Sequence, residues 1–134
     1  MTVYLLDLNY TLVTNSNTKA SPFTKQIDGE TYSRDLVDKM EADGSKAILI
    51  SARPHMHAER TLDSIYNKIK WVPMQAYFND LSLAPPLIKK SILERFILPF
   101  YEADGLFGIE SNPKTRQMYA EFGIKSVPMR EFMA

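Results

Sequence analysis

The sequence contains no cysteine, and that absence excludes disulfides, thiol catalysis and zinc sites built from cysteine. It also lacks an excess of either charge. Sixteen basic and sixteen acidic residues cancel, so no overall field attracts the chain to nucleic acid or to a membrane surface. No apolar run is long enough to span a membrane, and no secretion signal precedes the first apolar segment. We therefore expect an intracellular, cytoplasmic protein without a membrane partner.

The length and the apolar content suit a single folded domain. With 134 residues, of which 45% are hydrophobic and 24% charged, the chain is large enough to bury a core without disulfides or structural metals. The sequence shows no internal repeat and no low-complexity segment. We expect one domain over residues 1–134.

Short apolar runs alternate with amphipathic segments along the chain. Runs without polar alternation are typical of strands that are covered on both faces, as in parallel sheets. Strands are predicted over residues 2–6, 46–50, 75–78, 106–109 and 124–127, and helices over residues 34–42, 55–69, 87–98 and 114–122. This alternation predicts an α/β fold, a three-layer sandwich with a central parallel, Rossmann-like sheet. The polar residues 14–30 predict a small hairpin flap rather than a helix.

Polar side chains follow three of the predicted strands, at the point where each strand ends. A lone aspartate in such a position usually satisfies a turn or caps a helix. Here, however, the strand-end clusters are Asp7/Asn9/Thr11, Ser51/Arg53 and Glu110/Ser111/Asn112. Because the carboxyl ends of parallel strands share one edge of a sheet, we expect these clusters to converge. Carboxylates together with hydroxyls and cations indicate a divalent metal and a bound phosphate.

Four motifs in this order resemble those of the haloacid dehalogenase (HAD) superfamily, whose members transfer phosphoryl groups through an aspartate nucleophile. They are Asp7-Leu-Asn-Tyr-Thr-Leu12 after the first strand, Ile48-Leu-Ile-Ser-Ala-Arg-Pro54, the helical Leu87-Ile-Lys-Lys-Ser91, and Gly108-Ile-Glu-Ser-Asn-Pro-Lys114. Only the first motif is specific by itself, but the ordered set covers nearly the whole chain. The resemblance implies a HAD-like fold and a Mg²⁺-dependent phosphatase.

Within that superfamily, the Ser51-Ala-Arg53 turn and the Asn112-Pro113 step are similar to the small phosphatases related to the 3′-phosphatase domain of phage polynucleotide kinases. That branch lacks a large cap domain, and residues 14–30 would supply only the flap. The resemblance implies a phosphorylated small molecule or a nucleic-acid end as the partner, and a phage-encoded origin. Dehalogenase chemistry is less compatible with the sequence, because no obvious cap would enclose a halo-acid.

The resemblance also assigns roles to individual residues. Asp7 would be the nucleophile that forms an aspartyl-phosphate, and it would bind Mg²⁺ together with the backbone carbonyl of Asn9 and the Glu110 carboxylate. Ser51 would bind the transferred phosphoryl oxygens. Lys89 would do the same, with Lys90 as the alternative.

Arg53 has two interpretations. It would reach a substrate phosphate or base, or it would pair with a surface carboxylate.

Asn9 departs from the HAD pattern, in which an aspartate protonates the leaving oxygen and then activates water. An amide transfers no proton at neutral pH, and loss of a general acid–base typically removes about 10²–10⁴-fold of rate. Three explanations remain: an engineered change, an enzyme that uses another acid or a good leaving group, or a protein that binds without hydrolysing. Ser111, where the motif often has a second acid, favours the last two. The sequence thus predicts a phosphomonoester hydrolase, with a catalytically silent binding protein as the alternative.

Overall fold

The computed structural model describes residues 2–134 and has an α/β architecture. The strands are β1 (Val3–Leu6), β2 (Lys46–Pro54), β3 (Gln75–Asn79), β4 (Leu106–Ile109) and β5 (Lys125–Val127). The helices are α1 (Phe23–Asp28), α2 (Arg34–Glu41), α3 (Ala58–Ile69), α4 (Pro85–Ile92), α5 (Pro113–Glu121) and α6 (Met129–Met133). Helix α4 continues with a wider turn over Leu93–Ile97, and short 3₁₀ turns occupy His55–His57 and Ala103–Gly105.

The five strands form one sheet in the order β3-β2-β1-β4-β5, and every pairing is parallel. Strand β1 is central, with β2 on one side and β4 on the other. The chain therefore fills one half of the sheet first and then returns to fill the other half. The carboxyl ends of β1 and β4 meet where the strand order reverses, which is the usual place for a ligand in an open α/β sheet.

The alternation of side chains along the strands divides the core between the two faces of the sheet. Leu5, Ile48 and Ile50 pack on one face with Ile88 and Ile92 of α4. Their neighbours in sequence point the other way and pack against α2 and α3, with Leu6, Leu49, Leu36, Val37 and Ile65 all buried. This arrangement confirms the predicted three-layer sandwich with a parallel Rossmann-like sheet.

The prediction for residues 14–30 was partly wrong, because the segment contains helix α1. Its two ends do pair, since Val13 bridges Tyr32 in antiparallel fashion and the Thr14 N–H donates to the Thr31 carbonyl at 2.8 Å. The helix is anchored by Ile27, which is completely buried. A single apolar contact of this kind leaves no periodic pattern in a polar sequence. The segment is far smaller than a cap domain.

The other predicted elements agree with the structure to within a few residues. Ser33 caps α2, and its hydroxyl accepts a hydrogen bond from the Leu36 N–H at 3.1 Å. The helix predicted over residues 55–69 starts later than expected, because β2 continues to Pro54 and the regular part of α3 begins only at Ala58. Helix α6 was not predicted. Among the described residues, no helix has the length and apolar character needed to cross a membrane.

Candidate active site

A buried cluster of one lysine and two carboxylates lies at the carboxyl edge of the sheet. Asp7 follows β1, Glu110 follows β4, and Lys89 comes from the second turn of α4. The Lys89 ammonium donates to Asp7 Oδ1 at 2.8 Å and to Glu110 Oε1 at 2.6 Å. All three residues are at least nine-tenths buried. The adjacent Lys90 is exposed, so Lys89 is the lysine that the fold brings into the site.

One ammonium offsets only one of the two carboxylates. Burial raises the pKa of Asp7, but the charge of Lys89 and hydrogen bonds to the carboxylate outweigh this and hold the pKa below its ordinary value. Burial and the charge of Asp7 raise the pKa of Glu110 to about 7, against the opposing effect of Lys89. Although burial favours the neutral amine, the two carboxylates raise the pKa of Lys89 and keep it protonated. The ionised cluster therefore carries one uncompensated negative charge.

The second oxygen of Asp7 is held by two hydroxyl groups. Asp7 Oδ2 accepts hydrogen bonds from Thr11 Oγ1 at 2.9 Å and from Ser111 Oγ at 2.7 Å, and the Ser111 N–H adds a third at 3.2 Å. These contacts fix the orientation of the carboxylate. Thr11 lies four residues after Asp7, in the compact loop Leu8–Leu12, so this part of the site is built locally.

The oxygens around Ser111 fit a Mg²⁺ ion. Ser111 Oγ also lies 3.3 Å from the Asn9 carbonyl oxygen, so that carbonyl and Asp7 Oδ2 converge on one position. A carboxylate, a carbonyl and a hydroxyl are hard oxygen donors of the kind that Mg²⁺ takes. In Glu110, the third predicted ligand, Oε1 faces Lys89 and Oε2 accepts a hydrogen bond from the Asn112 N–H at 3.1 Å. In residues 2–134, no three His, Cys, Asp or Glu side chains form a ready metal cluster.

Ser51 lies within β2, two residues after the last residue that pairs with β1, and on the other side of β1 from Glu110. Its Oγ accepts a hydrogen bond from the Arg53 N–H at 3.0 Å, in a stretch where the register between β2 and β3 shifts. The hydroxyl is 2% exposed and borders the same cleft as Asp7. Since the oxygen accepts from the backbone, the hydroxyl hydrogen can be donated to a ligand oxygen.

Arg53 is engaged by a carboxylate of the protein. Its guanidinium forms a two-pronged ion pair with Glu30, with distances of 3.0 Å and 2.6 Å, and both side chains are almost completely buried. Nη1 also donates to Thr61 Oγ1 at 2.9 Å, and Nη2 donates to Asn9 Oδ1 at 3.0 Å. The second interpretation of Arg53, pairing with a carboxylate, describes this arrangement, although the carboxylate is buried rather than at the surface. Arg53 does not line the cleft.

Glu30 is a residue that the sequence did not point out. It ends the segment 14–30, and its carboxylate also accepts a hydrogen bond from the Tyr32 hydroxyl at 3.1 Å. That hydroxyl lies 2.9 Å from Ser64 Oγ of α3. Burial is the main reason why the pKa of Tyr32 is raised far above its ordinary value, so the hydroxyl stays protonated. A lone Glu before a β-branched residue carries no motif, and nothing local could have identified its partner.

A cleft of about 240 Å³ opens beside Asp7 and Lys89. Its walls include Asn9, Tyr10, Ser51, Pro85 and Ser111. Because arginine can only donate hydrogen bonds, the oxygen of the Asn9 amide must face Arg53. The NH₂ group of Asn9 is then the part of the side chain left for the cleft. The site thus offers an oriented carboxylate, an ammonium, a hydroxyl and an amide donor around one small volume.

No protein-family model matches this sequence, and no curated protein matches it. Solved structures do match, at low identity. A chain of the Pnkp1/Rnl/Hen1 RNA repair complex is 17% identical with a TM-score of 0.73, and the match covers 95% of this chain but only 41% of that one. This chain therefore spans less than half of the protein that it matches there.

Two similar structures are D,D-heptose 1,7-bisphosphate phosphatases. The D,D-heptose 1,7-bisphosphate phosphatase from B. bronchiseptica, complexed with magnesium and phosphate, is 12% identical with a TM-score of 0.68, and the match covers 99% of this chain and 86% of that one. The corresponding enzyme from Burkholderia thailandensis is 11% identical with a TM-score of 0.61, covering 92% and 75%. These similarities show a HAD-like fold without a large cap.

Proposed function

We propose that this protein is a Mg²⁺-dependent phosphomonoester hydrolase that acts through an aspartyl-phosphate on Asp7. The observation that carries the proposal is the Asp7–Lys89–Glu110 cluster at the edge where the strand order reverses. A carboxylate that is buried, ionised and fixed by several hydrogen bonds is a suitable nucleophile. The phosphatases among the similar structures show that this fold can accommodate such chemistry, and at their low identity the likeness concerns the fold alone.

The metal would be held by Asp7 Oδ2 and the Asn9 carbonyl, with the Ser111 hydroxyl as a neutral third donor and Glu110 as a nearby negative charge. When bound, Mg²⁺ supplies positive charge that neutralises the phosphoryl oxygens. It would also offset the negative charge that Lys89 leaves uncompensated.

Asp7 Oδ1 would be the attacking oxygen, because Oδ2 is held by Thr11 and Ser111 whereas Oδ1 contacts Lys89, which would itself bind the phosphoryl group. Attack forms the bond between Oδ1 and phosphorus, and the bond from phosphorus to the alcohol oxygen of the substrate breaks. Lys89 and the Ser51 hydroxyl would bind the phosphoryl oxygens during this step. Water then cleaves the aspartyl-phosphate, which releases phosphate and restores the Asp7 carboxylate.

Asn9 makes both proton transfers slow. The departing alcohol oxygen needs a proton, and the attacking water must lose one. The Asn9 amide can neither give a proton to the alcohol oxygen nor take one from the water. Arg53 holds the amide oxygen, so Asn9 can only donate a hydrogen bond into the cleft. We therefore propose that activity is greatest with esters of acidic alcohols and that the aspartyl-phosphate is long-lived.

The second candidate function is phosphoryl binding without turnover. The buried ion pair between Arg53 and Glu30 favours it, because this pair is already neutral and matches an uncharged residue at position 9. An engineered Asn9 alone would not explain why Glu30 is present to neutralise Arg53. In this case the site would hold a phosphorylated ligand without hydrolysing it, and the protein would act through its ligand-bound state.

Hydrolysis with Mg²⁺ tests the proposal. We would compare the protein with Asn9 in place, Asn9→Asp and Asp7→Asn on a generic aryl phosphate, on nucleotides and on 3′-phosphorylated oligonucleotides. We expect Asn9→Asp to be faster than the Asn9 protein by about 10²–10⁴-fold and Asp7→Asn to be inactive. Nucleotides and nucleic-acid ends come first because one similar structure belongs to an RNA repair complex.

Beryllofluoride binding separates the two candidates. An adduct on Asp7 together with turnover supports the hydrolase, whereas an adduct without turnover by either the Asn9 protein or Asn9→Asp supports the binding protein. If neither protein exceeds the Asp7→Asn background on any ester and no adduct forms, both candidates are rejected.

A further inference from the structure

Tyr10 has a backbone conformation that tyrosine rarely adopts. Its φ of 60° and ψ of 13° lie in the left-handed region, where the Cβ atom of any residue except glycine is crowded by the backbone. The Ser16 hydroxyl accepts a hydrogen bond from the Tyr10 N–H at 2.7 Å and stabilises this bend. A glycine would fit the same bend without strain. The presence of the large side chain therefore needs an explanation.

Core packing does not explain why a tyrosine occupies this bend, because the side chain of Tyr10 is 55% exposed. The residue lies three positions after Asp7 and forms part of the wall of the cleft beside it. Strained residues concentrate at binding and catalytic sites, where the gain in function offsets the cost. An exposed aromatic residue in a strained conformation at the edge of this cleft is placed to contact whatever the phosphate is attached to.

A second cleft, of about 250 Å³, adjoins the first and shares Tyr10 as a wall. Its other walls combine two apolar residues with hydroxyl and amide side chains: Val13, Met129, Thr14, Asn15, Ser16 and Asn17. The Asn15 amide is already hydrogen-bonded to the Gly29 carbonyl and the Thr31 N–H, so Asn17 carries the amide left for a ligand. A flat ring with a polar edge suits such a cleft, because it needs apolar contact on its face and a hydrogen-bonding partner at its edge. A substrate that extends from the first cleft across Tyr10 would enter the second.

A positive charge lies beside the Tyr10 ring. The Lys19 ammonium is 5.6 Å from the ring centroid, within the range of a cation–π contact. Lys19 belongs to the segment 14–30, which also forms most of the second cleft. This charge favours an anionic ligand, and it helps to fix the ring on one side.

We propose that Tyr10 determines the specificity of this site by stacking on the base of a nucleotide, free or at the end of a nucleic-acid strand, whose phosphate lies beside Asp7. The proposal rests on the proposed function, since it assumes that the first cleft binds the phosphate. The base lies against the ring and reaches the second cleft with its polar edge. Stacking of this kind contributes binding free energy with little dependence on which base is present.

Equilibrium binding measured by calorimetry in Mg²⁺ tests this proposal. The probes are ribose 5-phosphate, adenosine 5′-monophosphate and adenosine 3′-monophosphate, together with a short oligonucleotide that ends in a 3′-phosphate. We expect a nucleotide to bind roughly tenfold more tightly than ribose 5-phosphate. The 5′ and 3′ nucleotides and the oligonucleotide distinguish a free nucleotide from a strand end.

Three variants test whether the Tyr10 ring causes the difference in affinity between nucleotides and ribose 5-phosphate. Tyr10→Phe keeps the ring and should keep the preference, whereas Tyr10→Gly should abolish it, so that nucleotides then bind no more tightly than ribose 5-phosphate. Because glycine relieves the strain, the Tm of Tyr10→Gly should not fall below that of the natural protein. Tyr66→Ala is the matched control, since Tyr66 is also exposed and also has a lysine ammonium, that of Lys70, over its ring.

The outcomes distinguish the stacking role of Tyr10 from the proposed function on which it rests. If ribose 5-phosphate binds as tightly as every nucleotide, or if Tyr10→Gly keeps the preference, the stacking role is overturned while the phosphate site stands. If no probe binds, the proposed function fails and the stacking role fails with it. A preference that is lost in Tyr10→Gly and kept in Tyr66→Ala supports the proposal.

Discussion

Arg53 donates a hydrogen bond from Nη2 to Oδ1 of Asn9 across 3.0 Å, and the same guanidinium pairs with Glu30 through both of its terminal nitrogens. Asn9, which in the proposed function decides between turnover and binding, is therefore joined directly to a buried ion pair. The pair links β2 to the end of the segment 14–30. The orientation of the Asn9 side chain thus depends on a segment that contributes no wall to the cleft beside Asp7.

We predict that Arg53→Met destabilises the protein by about 3–5 kcal/mol, because it leaves the Glu30 carboxylate buried without a partner. Unfolding in urea measures this change. Adding Glu30→Gln to the same chain removes the stranded charge, so the double variant should be more stable than Arg53→Met alone. If the two single changes instead add within about 0.5 kcal/mol, the pair makes no coupled contribution.

We also predict that Gly108→Ala destabilises the protein by about 1–3 kcal/mol. A Cβ atom at Gly108 would lie 2.8 Å from the Cβ of Ser126 and 3.1 Å from the ring of Tyr119, which is completely buried and unable to move aside. Thermal unfolding provides the measurement. Gly105→Ala is the control, because a Cβ there meets no atom within 4 Å and the backbone is not left-handed. Equal Tm values for the two variants would contradict this account of the β4–α5 contact.

Strand ends and order along the chain were enough to predict which residues lie at the edge of the sheet. Asp7 and Glu110 each follow a short apolar run, and such runs are recognisable without any partner. The contacts of Arg53 were not predictable in this way. Its partner Glu30 is brought near by the folding of residues 14–30, where one buried contact at Ile27 replaces a periodic pattern.

The left-handed conformation of Tyr10 could not be predicted from the sequence either, because such a bend favours glycine and the sequence has a tyrosine there.

Removing the ammonium of Lys89 should reveal the affinity of the site for Mg²⁺. Lys89→Met leaves Asp7 and Glu110 buried together without a cation, and we expect a loss of about 3–5 kcal/mol in chelator. Added Mg²⁺ should then raise the Tm of Lys89→Met more than that of the natural protein, because it replaces the missing charge. Lys90→Met controls for the loss of a lysine, since Lys90 is exposed and should change stability by less than about 0.5 kcal/mol. A Tm that does not respond to Mg²⁺ in either protein would argue against a metal at this edge.

Glu110 should make the metal-free protein less stable as the pH rises. Its pKa is about 7 in the folded protein and 4.5 ordinarily, so between these values the folded chain holds a proton that the unfolded chain has released. The free energy of unfolding should therefore fall between about pH 4.5 and pH 7, by on the order of 3 kcal/mol from this group.

Urea unfolding in chelator at several pH values measures this slope. Glu110→Gln removes the titrating carboxyl while leaving Lys89 paired with Asp7, so the variant should lose this part of the slope. Carboxyls outside the cluster contribute equally to both proteins, and the lowered pKa of Asp7 keeps it ionised in both over this range, so the difference between the two curves isolates Glu110. A difference that does not change over this range would mean that the pKa of Glu110 is not raised in the folded protein.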